Sequence, residues 1–166
     1  LEQTSTGVLD VDISAGSSTL LLTDGAQSTG KNIYYRLHGT LAANRTITMP
    51  VTAERVWIMK DDTVRGTSNY TVGVLTASGT TQPIPPGATV LCKSNGSETV
   101  VSIIQKGYAT ITDANSPYTA VAGAQILANT TSTVITVTLP AAASTGDEVT
   151  IIDARGTWGS NNLTVG

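Results

Sequence analysis

A nucleophile and its base must lie within hydrogen-bond reach, and the only histidine, His38, sits in the turn-like stretch Leu37-His38-Gly39. With 29 threonines in 166 residues, some hydroxyl near that imidazole is expected from composition alone, so His38 does not by itself specify a nucleophile. One His and one Cys fall short of the three or four nitrogen and sulfur ligands of a zinc site. Glycoside hydrolysis would need two carboxylates flanking a bond, and the chain offers Asp61-Asp62 and Asp147-Glu148. Neighbours on a strand point to opposite faces, and both pairs lie beside predicted turns, where acidic residues bond to the backbone. Asp61 and Asp62 also lack the Asp/Asn spacing of a calcium loop.

Trp57, inside Val56-Trp57-Ile58-Met59, reads as core. Trp158, beside Gly159-Ser160-Asn161-Asn162, reads as exposed, and with His38 it is the candidate for contact with a glycan. Cys92 reads as a small apolar strand residue, and a single cysteine allows no disulfide within the chain. Sequons at Asn44, Asn69, Asn95, Asn129 and Asn162 follow from the abundance of Ser and Thr. The residues therefore predict no catalytic group, no cofactor and no metal ligand: a chain that is not an enzyme.

The elements that must position these side chains are strands. Charged residues are 13% and Phe is absent, against about 25% charged in ordinary domains, and a chain rich in Thr, Val and Ile but poor in Lys and Glu favours strands over exposed helices. In Thr133 to Pro140, Ile135, Val137 and Leu139 fall on one face and Thr136 and Thr138 on the other. Similar candidates recur, bounded by turn residues at 23–25, 37–39, 85–87 and 94–96. Their spacing predicts an all-β chain of two consecutive small antiparallel β-sandwich-like modules. No basic run supplies the counterion release that drives nucleic-acid binding, and no apolar stretch approaches the roughly 18–20 residues that cross a membrane.

A repeat organises the chain. Thr46-Ile47-Thr48-Met49-Pro50 returns ninety positions later as Thr136-Val137-Thr138-Leu139-Pro140. Arg65-Gly66-Thr67 returns as Arg155-Gly156-Thr157, and Asn69-Tyr70-Thr71-Val72-Gly73 as Asn162-Leu163-Thr164-Val165-Gly166. The reading is a first module over 1–106, with an N-terminal lead-in, and a related module over 107–166. The first copy continues through Pro83 to Ile104, and the second stops at Gly166, where that closing segment should begin. The chain is thus expected to be truncated inside its second module and to be part of a longer protein. Modules this small bury little surface alone, so neighbouring modules or identical chains are expected to cover the rest.

The string LHGTLAANRTITMP, followed by VWIMKDDTVRGTSNYTVGVLTASG and IPPGATVLCKSNGSETV, resembles modules of tail fibres and related appendages of tailed bacteriophages. The second half, with its Tyr-Thr start, Thr-rich strand ending in Leu-Pro and Asn-Asn-Leu-Thr-Val close, resembles a recurrent phage-fibre module. The turn Leu91-Cys92-Lys93-Ser94-Asn95-Gly96 departs from that pattern, with Lys-Ser where an Asp-Gly style turn is usual. The resemblance spans residues 16–166 and implies an elongated homotrimeric fibre in the virion, assembled in the host cytoplasm. Such a segment would link the virion to a distal host-recognition tip, with identical chains and other tail proteins as partners. The alternatives it leaves are direct contact with host surface polysaccharide and, third, a segment of a tailspike depolymerase. It implies no catalytic residue.

Overall fold

In the computed structural model the described residues are 7–23, 28–51, 54–65, 70–95 and 97–166. The expected turn at 23–25 falls largely outside them, as do Gly96 of the turn at 94–96 and Gly66, Thr67 and Asn69 of the repeat. All described regular structure is strand, apart from two 3-10 turns at Thr29–Lys31 and Asp113–Asn115.

The chain climbs in coils. Each coil lays one strand in a first sheet, turns a corner, and lays a second strand in a facing sheet. In the first unit the coils are β1 (Val8–Asp12) with β2 (Ser18–Thr19), β3 (Tyr34–Thr40) with β4 (Arg45–Met49), and β5 (Arg55–Val64) with β6 (Val72–Thr76). Like strands pair in parallel: Val8 lies beside Tyr34 and Tyr34 beside Ile58, giving coil periods of 26 and 24 residues. The chain then reverses. β7 (Gln82–Ile84) runs antiparallel to β6, β8 (Thr89–Ser94) antiparallel to β5, and β9 (Thr99–Gln105) antiparallel to β8, closing the unit.

The second unit repeats the climb. β10 (Tyr108–Ile111) leads to β11 (Tyr118–Thr119), β12 (Gln125–Ala128) to β13 (Ile135–Thr138), and β14 (Thr150–Asp153) to β15 (Leu163–Val165). All four pairings are parallel. The chain is thus all-β, but its coils stack as a β-solenoid and the expected antiparallel pairing is confined to β7, β8 and β9. The physical reason is that period-2 alternation fixes which face is buried and not the direction of the neighbouring strand. A parallel partner needs a crossover of a dozen or more residues, and here the other sheet's strand serves as that crossover.

Alternation places the core. Leu9, Tyr35, Met59 and Val90 form one inward row, and Trp57, Cys92 and Val101 another. Ile47 and Met49 point in from the facing sheet. A second, separate core gathers Ile111, Tyr118, Ile126, Ala128, Ile135 and Val137.

The corners are tied by side chains standing in for backbone partners. Asp12 Oδ1 accepts the Ser14 N–H at 2.8 Å, Asp61 Oδ1 that of Thr63 at 3.1 Å, Asn129 Oδ1 that of Thr131 at 3.1 Å, and Asp153 Oδ1 that of Arg155 at 3.1 Å. Coil is also tied to coil: Arg45 Nη2 donates to Ser14 O at 2.7 Å, and Asn161 Nδ2 to Thr130 O at 2.9 Å. The units meet backbone to backbone, since a Cβ on Gly107 would stand 1.9 Å from the carbonyl carbon of Gly87. No other residue fits there without moving the chain.

Candidate functional site

The outer face of the first sheet carries a charged ladder. Its register sets Asp10, Arg36 and Lys60 in one row and Asp12, His38 and Asp62 in the next. Arg36 Nε donates to Asp62 Oδ2 at 2.7 Å, while Arg36 Nη1 lies 3.8 Å from Asp10 and Lys60 Nζ 3.8 Å from Asp62. His38 therefore stands on this face with carboxylate-bearing residues as its register neighbours on both sides.

Asp61 and Asp62 part company as adjacent strand residues must. Asp62 joins the outer ladder, whereas Asp61 points into the core row begun by Val11 and Leu37, with its side chain fully buried. There it is bonded by Arg65 Nη2 and by the Thr63 hydroxyl at 2.6 Å. Both lie within β5, near its end. Asp147 sits in a turn, where its Oδ2 accepts the Ser144 N–H at 2.8 Å, and Glu148 bonds Lys106 Nζ at 3.1 Å and the Thr150 hydroxyl at 2.9 Å.

Trp57 is fully buried. Trp158 lies in the other unit, half-buried against the second core, with its backbone N–H bonded to Asp153 Oδ2 at 3.0 Å. Trp158 and His38 are thus not brought together. Among the described residues no group of three or more His, Cys, Asp or Glu could hold a metal, and no helix is long and apolar enough to cross a membrane.

Cys92 is buried in the first core, and burial pushes its thiol up to about 12. Since the thiolate is the reactive form, a disulfide reagent such as DTNB is expected to leave the folded chain unlabelled and to titrate one thiol in denaturant. Rapid labelling under native conditions would contradict that placement.

Several exposed carboxyls are held below the usual carboxylate range. For Asp12 the leading cause is the Ser14 N–H. For Glu148 it is the Thr150 hydroxyl, followed by Lys106. For Asp153 burial pushes upward, but the N–H groups of Trp158, Arg155, Thr157 and Gly156 outweigh it. Each folded-state value lies below its unfolded one, so the unfolded chain takes up protons first as pH falls. The contribution is complete above about pH 5 and is lost progressively from about pH 4 downward. Melting midpoints are expected to be flat from neutral pH to about 5 and to drop below about 4; a midpoint that rises on acidification would refute the assignment.

Two clefts open where the units meet. The larger, about 590 Å³, is lined by Pro85, Val101, Ile103, Gly123, Pro140 and Glu148 among others. The other, about 430 Å³, is lined by the end of β5, by Pro86 and Gly87, and by β10 and Tyr118. Sequence reasoning missed both, because their linings come from segments far apart in the chain and carry no local motif. Comparison with known protein families, with curated proteins and with solved structures found no match.

Proposed function

We propose that the chain is a non-enzymatic structural segment of a phage tail fibre, a spacer linking the virion to a distal tip that recognises the host. The observation that carries this reading is the coil stack itself. Each added coil lengthens a parallel stack by about 4.8 Å, and the middle coils of the two units carry the same Thr-x-Thr-x-Pro pattern, Thr46 to Pro50 running off the end of β4 and Thr136 to Pro140 off the end of β13. A stack of this kind grows by repetition and resists bending through its backbone ladders.

Identical chains are the partners this reading assigns. The first sheet's outer face bears an apolar strip in which Val8, Tyr34, Ile58 and Leu91 lie in one register row, and in the next row Val56 and Val100 flank Lys93. Val8, Val56 and Val100 are 63%, 45% and 59% exposed. Lateral packing of copies would cover such a strip. Multi-angle light scattering on the isolated segment is expected to give three times the chain mass. A well-folded monomer at all concentrations would overturn the trimeric fibre.

A further inference from the structure

We propose that the open edge formed by β14 and β15 is a docking surface for an antiparallel β-arm, two short strands joined by a tight corner and apolar on one face. The two units supply the comparison. In the first, the third coil is covered: β8 pairs antiparallel with β5, and β7 with β6. The corner between β7 and β8 is closed by the Ala88 N–H, which donates to Pro85 O at 3.1 Å. In the second unit β14 and β15 hold the third coil's places but end their sheets, and among the described residues no strand pairs with their outer edges.

Burial differs in the same way. Ile47 and Val137 occupy one place in the repeated wording, and their partners in the next coil are Val74 and Val165. Val74 is wholly buried, whereas Val165 is 49% exposed. Trp57 and Met59 likewise lie buried beside Cys92 and Val90, while Ile151, beside the buried Ile126, is only half-buried. Leu163, opposite the buried Ile135, is half-buried too. The backbone agrees. Thr150 and Ala154 donate to Ala124 O and Ala128 O of the preceding coil, and Gly166 to Val137 O. By alternation, the N–H and C=O groups of Ile151, Asp153, Leu163 and Val165 turn toward the open edge. An arm that bonds to this backbone and lays apolar side chains over the half-buried row answers both features. The first unit's own arm shows the chemistry required, since its Ile84, Val90 and Cys92 are all buried in the core.

This inference rests on the repeat and on burial, not on the spacer reading, which the mass measurement decides separately. The probe is a synthetic peptide of residues 81–94, titrated into the whole isotope-labelled chain and followed by NMR. Amide shifts are expected to centre on Ile151, Asp153, Leu163 and Val165, whose hydrogen exchange should slow. A peptide carrying Ile84→Asp and Val90→Asp should bind more weakly by about tenfold or more. In the chain, Val165→Asp, at an exposed position, should weaken peptide binding about tenfold with melting unchanged. Ile152→Asp, on the opposite face of β14, should leave binding unaltered. The proposal is overturned by an absence of shifts, by shifts centred on β5 and β6 where the resident arm sits, or by equal binding of the substituted peptide or to the Val165→Asp chain. Slow exchange at Ile151 and Val165 before any peptide is added, as a second copy covering the edge would give, overturns it as well.

Discussion

Replacing Trp57 by alanine is expected to cost about 3–5 kcal/mol and to spend that loss on the first unit. Trp57 is wholly buried, lies opposite Cys92 on β8, and is the largest side chain of the first core. Its indole N–H donates to Gly30 O at 3.0 Å, tying β5 to the 3-10 turn that precedes β3. The alanine variant removes both the ring and that donor. Trp57→Phe keeps most of the packing but leaves the Gly30 carbonyl without the indole, and should cost less, about 1–3 kcal/mol. Urea unfolding followed by circular dichroism measures the loss. In the alanine variant Trp158 is the only tryptophan, so its fluorescence reports the second unit, whose core is separate. That fluorescence should unfold at nearly the unsubstituted midpoint. A Trp158 transition shifted as far as the dichroism would show that the units unfold as one body.

What the sequence made legible follows from this division of labour between local and distant partners. The alternation from Ile135 onward is a property of consecutive residues, and Ile135 and Val137 are buried as it requires, whereas Leu139, beyond the end of β13, is exposed. The ninety-residue echo is likewise real in space, since β4 and β13 are both middle strands of their rows. The shorter period, the coil, was not legible. Its length varies from 17 to 29 residues between register partners, and successive coils share little beyond alternation. Even the echo slides: by wording Val72 corresponds to Val165, but in the register Val72 faces Arg45 as Leu163 faces Ile135. The slip is two residues, which keeps each side chain on its face. Strand direction was misread because a short corner between two sheets resembles a hairpin turn until the partner is known. The clefts were invisible for the same reason: Asp62 and Tyr108 line one of them from distant segments that approach where Gly87 and Gly107 bring two backbones close.

Breaking the Asp61–Arg65 pair from either side is the second change expected to have a large effect. In the inward row Val11, Leu37, Asp61 the sequence turns from aliphatic to ionised, and the carboxylate's side chain has no exposed surface. A buried charge is tolerated only with a partner and further hydrogen bonds. Arg65 supplies the partner, while the Thr63 N–H and hydroxyl supply the rest. Arg65→Met strands the carboxylate and is expected to cost about 3–5 kcal/mol. Asp61→Leu strands a guanidinium that is slightly exposed and still donates to Tyr70 O at 2.9 Å, so its cost should be smaller. Combining Asp61→Leu with Arg65→Met removes both charges and continues the aliphatic row. The remaining loss is then the pair of bonds to Thr63, about 1–3 kcal/mol in all. The double variant should therefore be more stable than Arg65→Met alone, with a coupling of about 2–3 kcal/mol in a double-mutant cycle of urea midpoints. Additive single costs would mean that the two charges do not depend on each other, and the account of Asp61 and Arg65 as a buried pair at the end of β5 would fail.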